Sequence, residues 1–276
     1  MLLAKTWGPD FKTRIGNEAF RVHSVFRAVC NLQADLNSPL LSLVAKEEAR
    51  GSNSLWIEQL AFVDYFEVGM PIHLDRDSLF CGQVVIDCSS SLLHRPRIEN
   101  YEQDQSVWYQ VEAWLESQNP GFTRTKSKLT EKLEQGLLEE DRDSFLAAMQ
   151  GLIGSGEGLT PAGDDFVAGV LTAYVRACRT VRSNGLFLDE ITPDLTQILR
   201  RTNSISQTML LYSLKGEGAL YVTELIDAIY TGNQNALNYA LRLWQVGASS
   251  GRHLLAGILL GCKIFWTREK DDGREN

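Results

Sequence analysis

The sequence predicts an α+β protein: a β-rich domain over residues 1–97, then a mainly helical domain over residues 98–276. Two observations carry this. Short apolar runs separated by turn residues fill the chain from Arg21 to about Leu93. Apolar residues at helical spacing fill most of the chain beyond it. The first pattern predicts a small, mainly antiparallel barrel or sandwich. The second predicts an antiparallel helical bundle with short connections.

Residues 1–20 are mixed and give no firm element. Arg21 to Leu32 alternates apolar and polar over much of its length. Leu40 to Val44 follows a Ser-Pro turn, and Ser54 to Ile57 follows the turn signal Gly51-Ser52-Asn53. Gly69 to Leu74, the turn-like Asp75-Arg76-Asp77, and Leu79 to Asp87 complete the strand-like region, which Pro96 ends. Val107, Val111, Trp114 and Leu115 then recur at i, i+4, i+7 and i+8, predicting a helix stopped by Asn119-Pro120-Gly121. Further helices are expected over Lys126–Leu138, Asp143–Leu152, Asp164–Thr180, from Pro193, and over Ser204–Leu214, Ala219–Tyr230, Gln234–Trp244 and Gly251–Thr267. Glu139-Glu140-Asp141 reads as a solvated helix end, and the charged tail Arg268 to Asn276 is expected to fray.

Composition limits the function. With 44% hydrophobic and 22% charged residues, the chain has material for an ordinary core. A net charge of −8 argues against a nucleic-acid partner, whose phosphates need a basic surface. No stretch approaches the ~20 apolar residues of a membrane-spanning helix, so no membrane partner is expected. Cys30, Cys81, Cys88, Cys178 and Cys262 are scattered, and no basic segment leads into a long apolar run near the N-terminus. Both points favour reduced thiols in a cytoplasmic protein. His23, His73 and His94 have no partner nearby in sequence and are not read as ligands.

The informative stretch is Gly154 to Leu171, where four glycines, a proline and the adjacent Asp164 and Asp165 run into an apolar helix. Glycine lets a chain turn tightly and lets a ligand approach the main chain. A helix start offers unpaired N–H groups and a partial positive charge, which suit an anion. The end of the chain echoes it: Gly163-Asp164-Asp165 through Gly169 aligns with Gly251-Arg252-His253 through Gly257. The spacing predicts that these two helices cross at Gly169 and Gly257, bringing both starts together. Main-chain donors near Gly156, Gly158, Gly163 and Gly251, with the hydroxyls of Thr160, Ser249 and Ser250, would then face a small carboxylate or phosphate. Asp164 and Asp165 would hold an amine or amide, transfer a proton, or take a divalent metal; no other cofactor is evident. His253 would donate to an anion or pair with an aspartate. The competing reading gives all of these residues capping and packing roles alone. Arg200 and Arg201 read first as charge at the C-terminus of the preceding helix, and Ser204 as a cap.

Three blocks together, Gly156-x-Gly158-Leu159-Thr160-Pro161-x-x-Asp164-Asp165-x-x-x-Gly169, Ser204-x-Ser206, and Gly247-x-Ser249-Ser250-Gly251 with Gly257 beyond, resemble the AllH-type family. This bacterial family includes a subunit of oxamate carbamoyltransferase from allantoin breakdown. The resemblance covers about the last 130 residues well and the β region loosely. It implies a carbamoyltransferase-type subunit of purine or nitrogen catabolism, working with partner subunits, and places Ser204 and Ser206 with the substrate-binding residues. The family's last block usually has a histidine after its first glycine and an aspartate two residues past its last; here Ala248 and His253 stand there. A non-catalytic subunit binding a small anion or nucleotide is the alternative function, and a purely structural partner a third.

Overall fold

The computed structural model describes residues 2–58, 60–93, 105–119, 127–181 and 186–272. The chain divides into two compact units, Met1–Arg97 and Ile98–Asn276.

The first unit is a closed barrel. Its strands are β1 (Leu2–Trp7), β2 (Phe20–Val25), β3 (Val29–Gln33), β4 (Leu41–Val44), β5 (Ser54–Ile57), β6 (Pro71–Asp75), β7 (Ser78–Cys81) and β8 (Val84–Asp87), with a short β9 (Leu92–Leu93). They pair in the order β5-β4-β3-β2-β6-β7-β8-β1, and β1 returns to β5 with Thr6 opposite Trp56 and Trp7 opposite Leu55. That pairing closes eight strands and removes both free edges, which decides barrel over sandwich. The sheet is mainly antiparallel; β1–β8, β1–β9 and β4–β5 are parallel. Alternate residues fill the interior: Val22, Leu32, Leu41, Leu43, Leu55, Ile57, Ile72, Leu79 and Ile86 are buried.

Two readings of this region need correction. Residues 1–20, which gave no firm element, form β1 and a helix, α1 (Pro9–Ile15), whose Phe11 and Ile15 are buried in the barrel core. The single apolar run Leu79 to Asp87 is a hairpin, β7 and β8, turning at Gly82 with φ 60°. Pro96, His94, Pro120 and Gly121 lie outside the described residues. His73 stacks on Phe80 at 5.1 Å, and His23 Nδ1 lies 3.1 Å from Ser24 Oγ.

The second unit is helical: α2 (Ser106–Gln118), α3 (Lys128–Leu138), α4 (Arg142–Leu152), α5 (Ala162–Val181), α6 (Phe187–Glu190), α7 (Thr192–Leu199), α8 (Ser204–Ser213), α9 (Leu220–Tyr230), α10 (Ala236–Trp244) and α11 (Ser250–Asp272). Sequence neighbours joined by short loops are antiparallel, as with α3 and α4, where Gly136 abuts Phe145 and Gly151 abuts Leu129. The centre departs from a simple antiparallel bundle. Helices α5 and α8 run parallel, touching at Asp164–Thr202 near their starts and Thr172–Ser213 further on. Helices α5 and α11 also run parallel, since Phe166 meets Gly257 and Val170 meets Gly261. Helices α6 and α7 lie between α5 and α8 in sequence, and α9 and α10 between α8 and α11. Each return therefore brings the chain back in the same direction.

Helix α5 is buried almost all round, from Val167 to Cys178. Its contact with α11 is backbone on backbone. A Cβ on Gly169 would collide with the Leu254 carbonyl, and one on Gly257 with the Phe166 carbonyl. The spacing that predicted this crossing thus has its physical cause in the space glycine leaves.

The polar segments differ from expectation in detail. Asp141 caps α4, accepting from the amides of Asp143 and Ser144, and Glu140 pairs with Arg268 at 2.7 Å. That pair, with bonds from Arg268 to the Leu137 carbonyl and Tyr174 hydroxyl, holds the end of α11. The helix therefore continues through the expected frayed tail to Asp272. Pro193 is the second residue of α7, Arg200 directly follows that helix, and α6 is an additional short helix. All five cysteines are free and buried, and burial pushes the Cys30, Cys81, Cys88 and Cys262 thiols up to about 12. No helix among the described residues is long and apolar enough to cross a membrane.

Gly169→Ala and Gly257→Ala are each expected to destabilise the protein by about 1–3 kcal/mol or more, because the obstacle is rigid backbone. Gly16→Ala, where the nearest atom to a new Cβ is 3.8 Å away, is expected to be close to neutral. Urea denaturation midpoints of the three variants provide the check.

Candidate functional site

The starts of α5, α8 and α11 meet at one end of the helical unit, joined by the loop Ile153–Pro161. Gly154, Gly156 and Gly158 all have positive φ, at 77°, 105° and 100°, so this loop takes a path that side chains rarely allow. It wraps the start of α5: Ser155 Oγ donates to the Leu152 carbonyl at 2.6 Å, and the Gly163 amide donates to the Ser155 carbonyl at 2.9 Å.

The two adjacent carboxylates have different fates. Asp164 is fully buried; Oδ1 accepts from the Gly154 amide at 2.7 Å and Oδ2 from Thr202 Oγ1 at 2.5 Å. It therefore pins the glycine loop and the α7–α8 connection to α5. Asp165 is 1% exposed, and its Oδ2 accepts from Thr160 Oγ1 at 3.1 Å. Thr160 Oγ1 lies 2.8 Å from Ser250 Oγ at the start of α11. A threonine hydroxyl has one hydrogen, so when it donates to Asp165 the Ser250 hydroxyl donates to it. The result is a chain of hydroxyls from Ser250 through Thr160 to the carboxyl. The other oxygen, Asp165 Oδ1, is buried with no hydrogen-bond partner among the described residues. Desolvation pushes the Asp165 carboxyl up to about 6; the Ser250 and Thr160 hydroxyls oppose this, and the neighbouring Asp164 adds to it.

Ser206 sits in the first turns of α8, fully buried, and its Oγ too has no hydrogen-bond partner among the described residues. Ser204 is not the cap: Asn203 Oδ1 accepts from the amides of Ile205 and Ser206, and Asn203 Nδ2 donates to the Leu159 carbonyl at 2.8 Å. Asn203 thus holds the loop against α8, and Thr202 ties the start of α8 to α5. Tyr221, near the start of α9, is close enough for the Asp165 charge to act on its phenol, which burial and that charge push up to about 12. The sequence singled out none of these three as site residues. Polar residues just before an expected helix were the available signal for Thr202 and Asn203; Tyr221 had none.

The expected main-chain donors need correction. The amides of Gly163, Gly251, Arg252 and His253 are taken by the carbonyls of Ser155, Val246 and Ser249. A Cβ on Gly163 would collide with the Leu152 carbonyl, and one on Gly251 with the Leu243 carbonyl, so these glycines admit the preceding helix rather than a ligand. The amides of Gly156, Gly158 and Leu159, in the exposed loop, have no acceptor among the described residues. Ser249 is exposed, and its carbonyl caps α11. His253 is half-buried beside the charged Arg252, whose guanidinium stacks over Trp244 at 4.9 Å. Burial, followed by the Arg252 charge, lowers the imidazole below its usual range. No group of three or more His, Cys, Asp or Glu side chains is gathered for a metal among the described residues. Asp164 spends both oxygens on Gly154 and Thr202, so we assign no metal step to the aspartate pair.

A closed barrel followed by a helical unit, with a buried carboxyl where three parallel helices start, defines an α+β protein. Residues 4–93 match the model of the AllH family N-terminal domain, and residues 152–262 match that of the oxamate carbamoyltransferase subunit AllH. The chain belongs to the AllH family. No solved structure matches it.

The different carboxylates give two stability outcomes. Asp164→Asn sets an amide N–H against a donor and is expected to cost about 1–3 kcal/mol, read from chemical denaturation. Asp165 behaves oppositely. Its folded-state carboxyl holds its proton to higher pH than the unfolded one, so stability falls as pH rises from about 4 through about 6. Asp165→Asn is expected to remove a penalty on the order of 2–3 kcal/mol at about pH 8 and little at about pH 4. Melting temperatures at the two pH values test this; equal shifts at both would contradict it.

Proposed function

We propose that this chain is a subunit of a carbamoyltransferase-type enzyme of purine or allantoin nitrogen catabolism, carrying the transfer site at the starts of α5, α8 and α11. The reaction moves a carbamoyl group between the nitrogen of oxamate and an oxygen of phosphate. The subunit works in the cytoplasm with partner enzyme subunits. The family membership supports the reaction class, and the observation that carries the site is the buried Asp165 carboxyl with one oxygen unpartnered among the described residues.

In the direction of carbamoyl phosphate, a phosphate oxygen attacks the carbamoyl carbon of N-carbamoyl-oxamate. The C–O bond forms, the C–N bond breaks, and the leaving oxamate nitrogen takes a proton. A carboxyl pushed up to about 6 is suited to giving that proton and, in reverse, to taking it. The hydroxyl chain through Thr160 and Ser250 links it to the exposed side of the helix starts. The open amides of Gly156, Gly158 and Leu159, with the positive ends of three helices, favour the phosphate and the oxamate carboxylate. These roles position two anions and one proton carrier together, which is where such transfer gains its rate.

The second reading, a non-catalytic subunit binding a small anion or nucleotide, draws on Ala248 and His253, which stand where the family usually has histidine and aspartate. One experiment separates the two. In a complex with its native partner subunits, Asp165→Asn is expected to lower carbamoyl transfer by about 100-fold or more without loss of assembly. Full transfer by that variant would leave the non-catalytic reading.

A further inference from the structure

The two unpartnered buried oxygens at the helix starts belong to neighbouring faces. Helices α5 and α8 run parallel and touch where Thr172 Oγ1 donates to Ser213 Oγ at 3.0 Å. Asp165 lies seven positions before Thr172, and Ser206 seven positions before Ser213. Seven residues are two helical turns with about 20° of drift, so both side chains return to the faces that meet at Thr172–Ser213. The contact of Asp164 with Thr202 brackets the pair from the other end. Asp165 Oδ1 and Ser206 Oγ are not bonded to each other, and neither has another hydrogen-bond partner among the described residues.

The chemistry of the two unpartnered oxygens selects the ligand. A carboxylate oxygen accepts and does not donate, so an anion cannot satisfy it, whereas an N–H can. Ser206 Oγ supplies a second acceptor on the same level. We propose that Asp165 Oδ1 and Ser206 Oγ together receive the two N–H bonds of a primary amide. The site thereby reads the NH2 end of its substrate separately from the anionic end. The inference rests on the helix starts being the substrate site and names what that site recognises. For oxamate, the Asp165 contact falls on the hydrogen that the attacking nitrogen must lose. Ser206 holds the second hydrogen and so orients the nitrogen.

Oxamate and pyruvate provide the test, since they differ only in NH2 against CH3. Both are titrated calorimetrically into the full chain with its native partner subunits at about pH 8. Oxamate is expected to bind at least about tenfold more tightly than pyruvate. Ser206→Ala is expected to weaken oxamate about tenfold and leave pyruvate unchanged, with no fall in melting temperature, because the hydroxyl loses no protein partner. Ser206→Cys, with a weak acceptor in place of a good one, is expected to fall between. Equal affinities for the two ligands, no binding of either, or unchanged oxamate affinity in Ser206→Ala would overturn the proposal. The reading of Asp165 as proton carrier fails separately, on the transfer rate of Asp165→Asn. The amide contact stands or falls on the oxamate-to-pyruvate ratio.

Discussion

Two helix backbones touch where α5 crosses α11, and the geometry of the candidate site depends on that contact. Gly169, Gly257 and Gly261 leave no side chain between the axes, so the carbonyls of Phe166, Val170 and Leu254 reach the opposing main chain. Glycine within a helix costs about 1 kcal/mol relative to alanine. Close packing over two long, buried helices offsets this through dispersion and weak Cα–H···O contacts. The contact also fixes the register of the helices. It is this register that brings Thr160 and Ser250, far apart in sequence, to 2.8 Å.

Within that frame, identical side chains one residue apart do different work. Asp164 meets two donors and becomes a strut between the loop and α8. Asp165 meets hydroxyls alone and keeps one oxygen unpartnered among the described residues, and burial makes its charged form expensive. Environment, more than residue type, sets the role of a carboxyl. The positive ends of three helices point to this place and partly compensate the charge. Burying this carboxyl with one oxygen unpartnered is a cost carried by the folded protein.

Much of the architecture was legible in the sequence because it rests on periodicity. Alternation and turns marked the barrel strands, helical spacing marked α2 to α5 and α7 to α11, and the glycine echo marked the α5–α11 crossing. The features that escaped did so for physical reasons. Helix α1 is short, and distant pairing with β5 and β8 defines strand β1. Arg268 looked like part of a free tail, since its partners Glu140 and Tyr174 lie over ninety residues away. Around the helix starts, the sequence marked Asp164, Asp165, Thr160 and Ser250 but could not show that the two aspartates have different partners. That difference depends on Thr202 and on which amides the chain consumes itself. Tyr221 came to Asp165 through tertiary packing alone.

The span of these contacts along the chain sets an order of assembly. The strands that close the barrel all lie before residue 94, so that unit can complete itself early in synthesis, as N-terminal domains do. The carboxyl site needs pairings 10, 38 and 90 residues apart, the last reaching Ser250. A nascent or truncated chain that stops short of α11 has the glycine loop and both aspartates, yet lacks the helix that sets their positions. The candidate site is therefore completed only once α11 has been made and packed against α5.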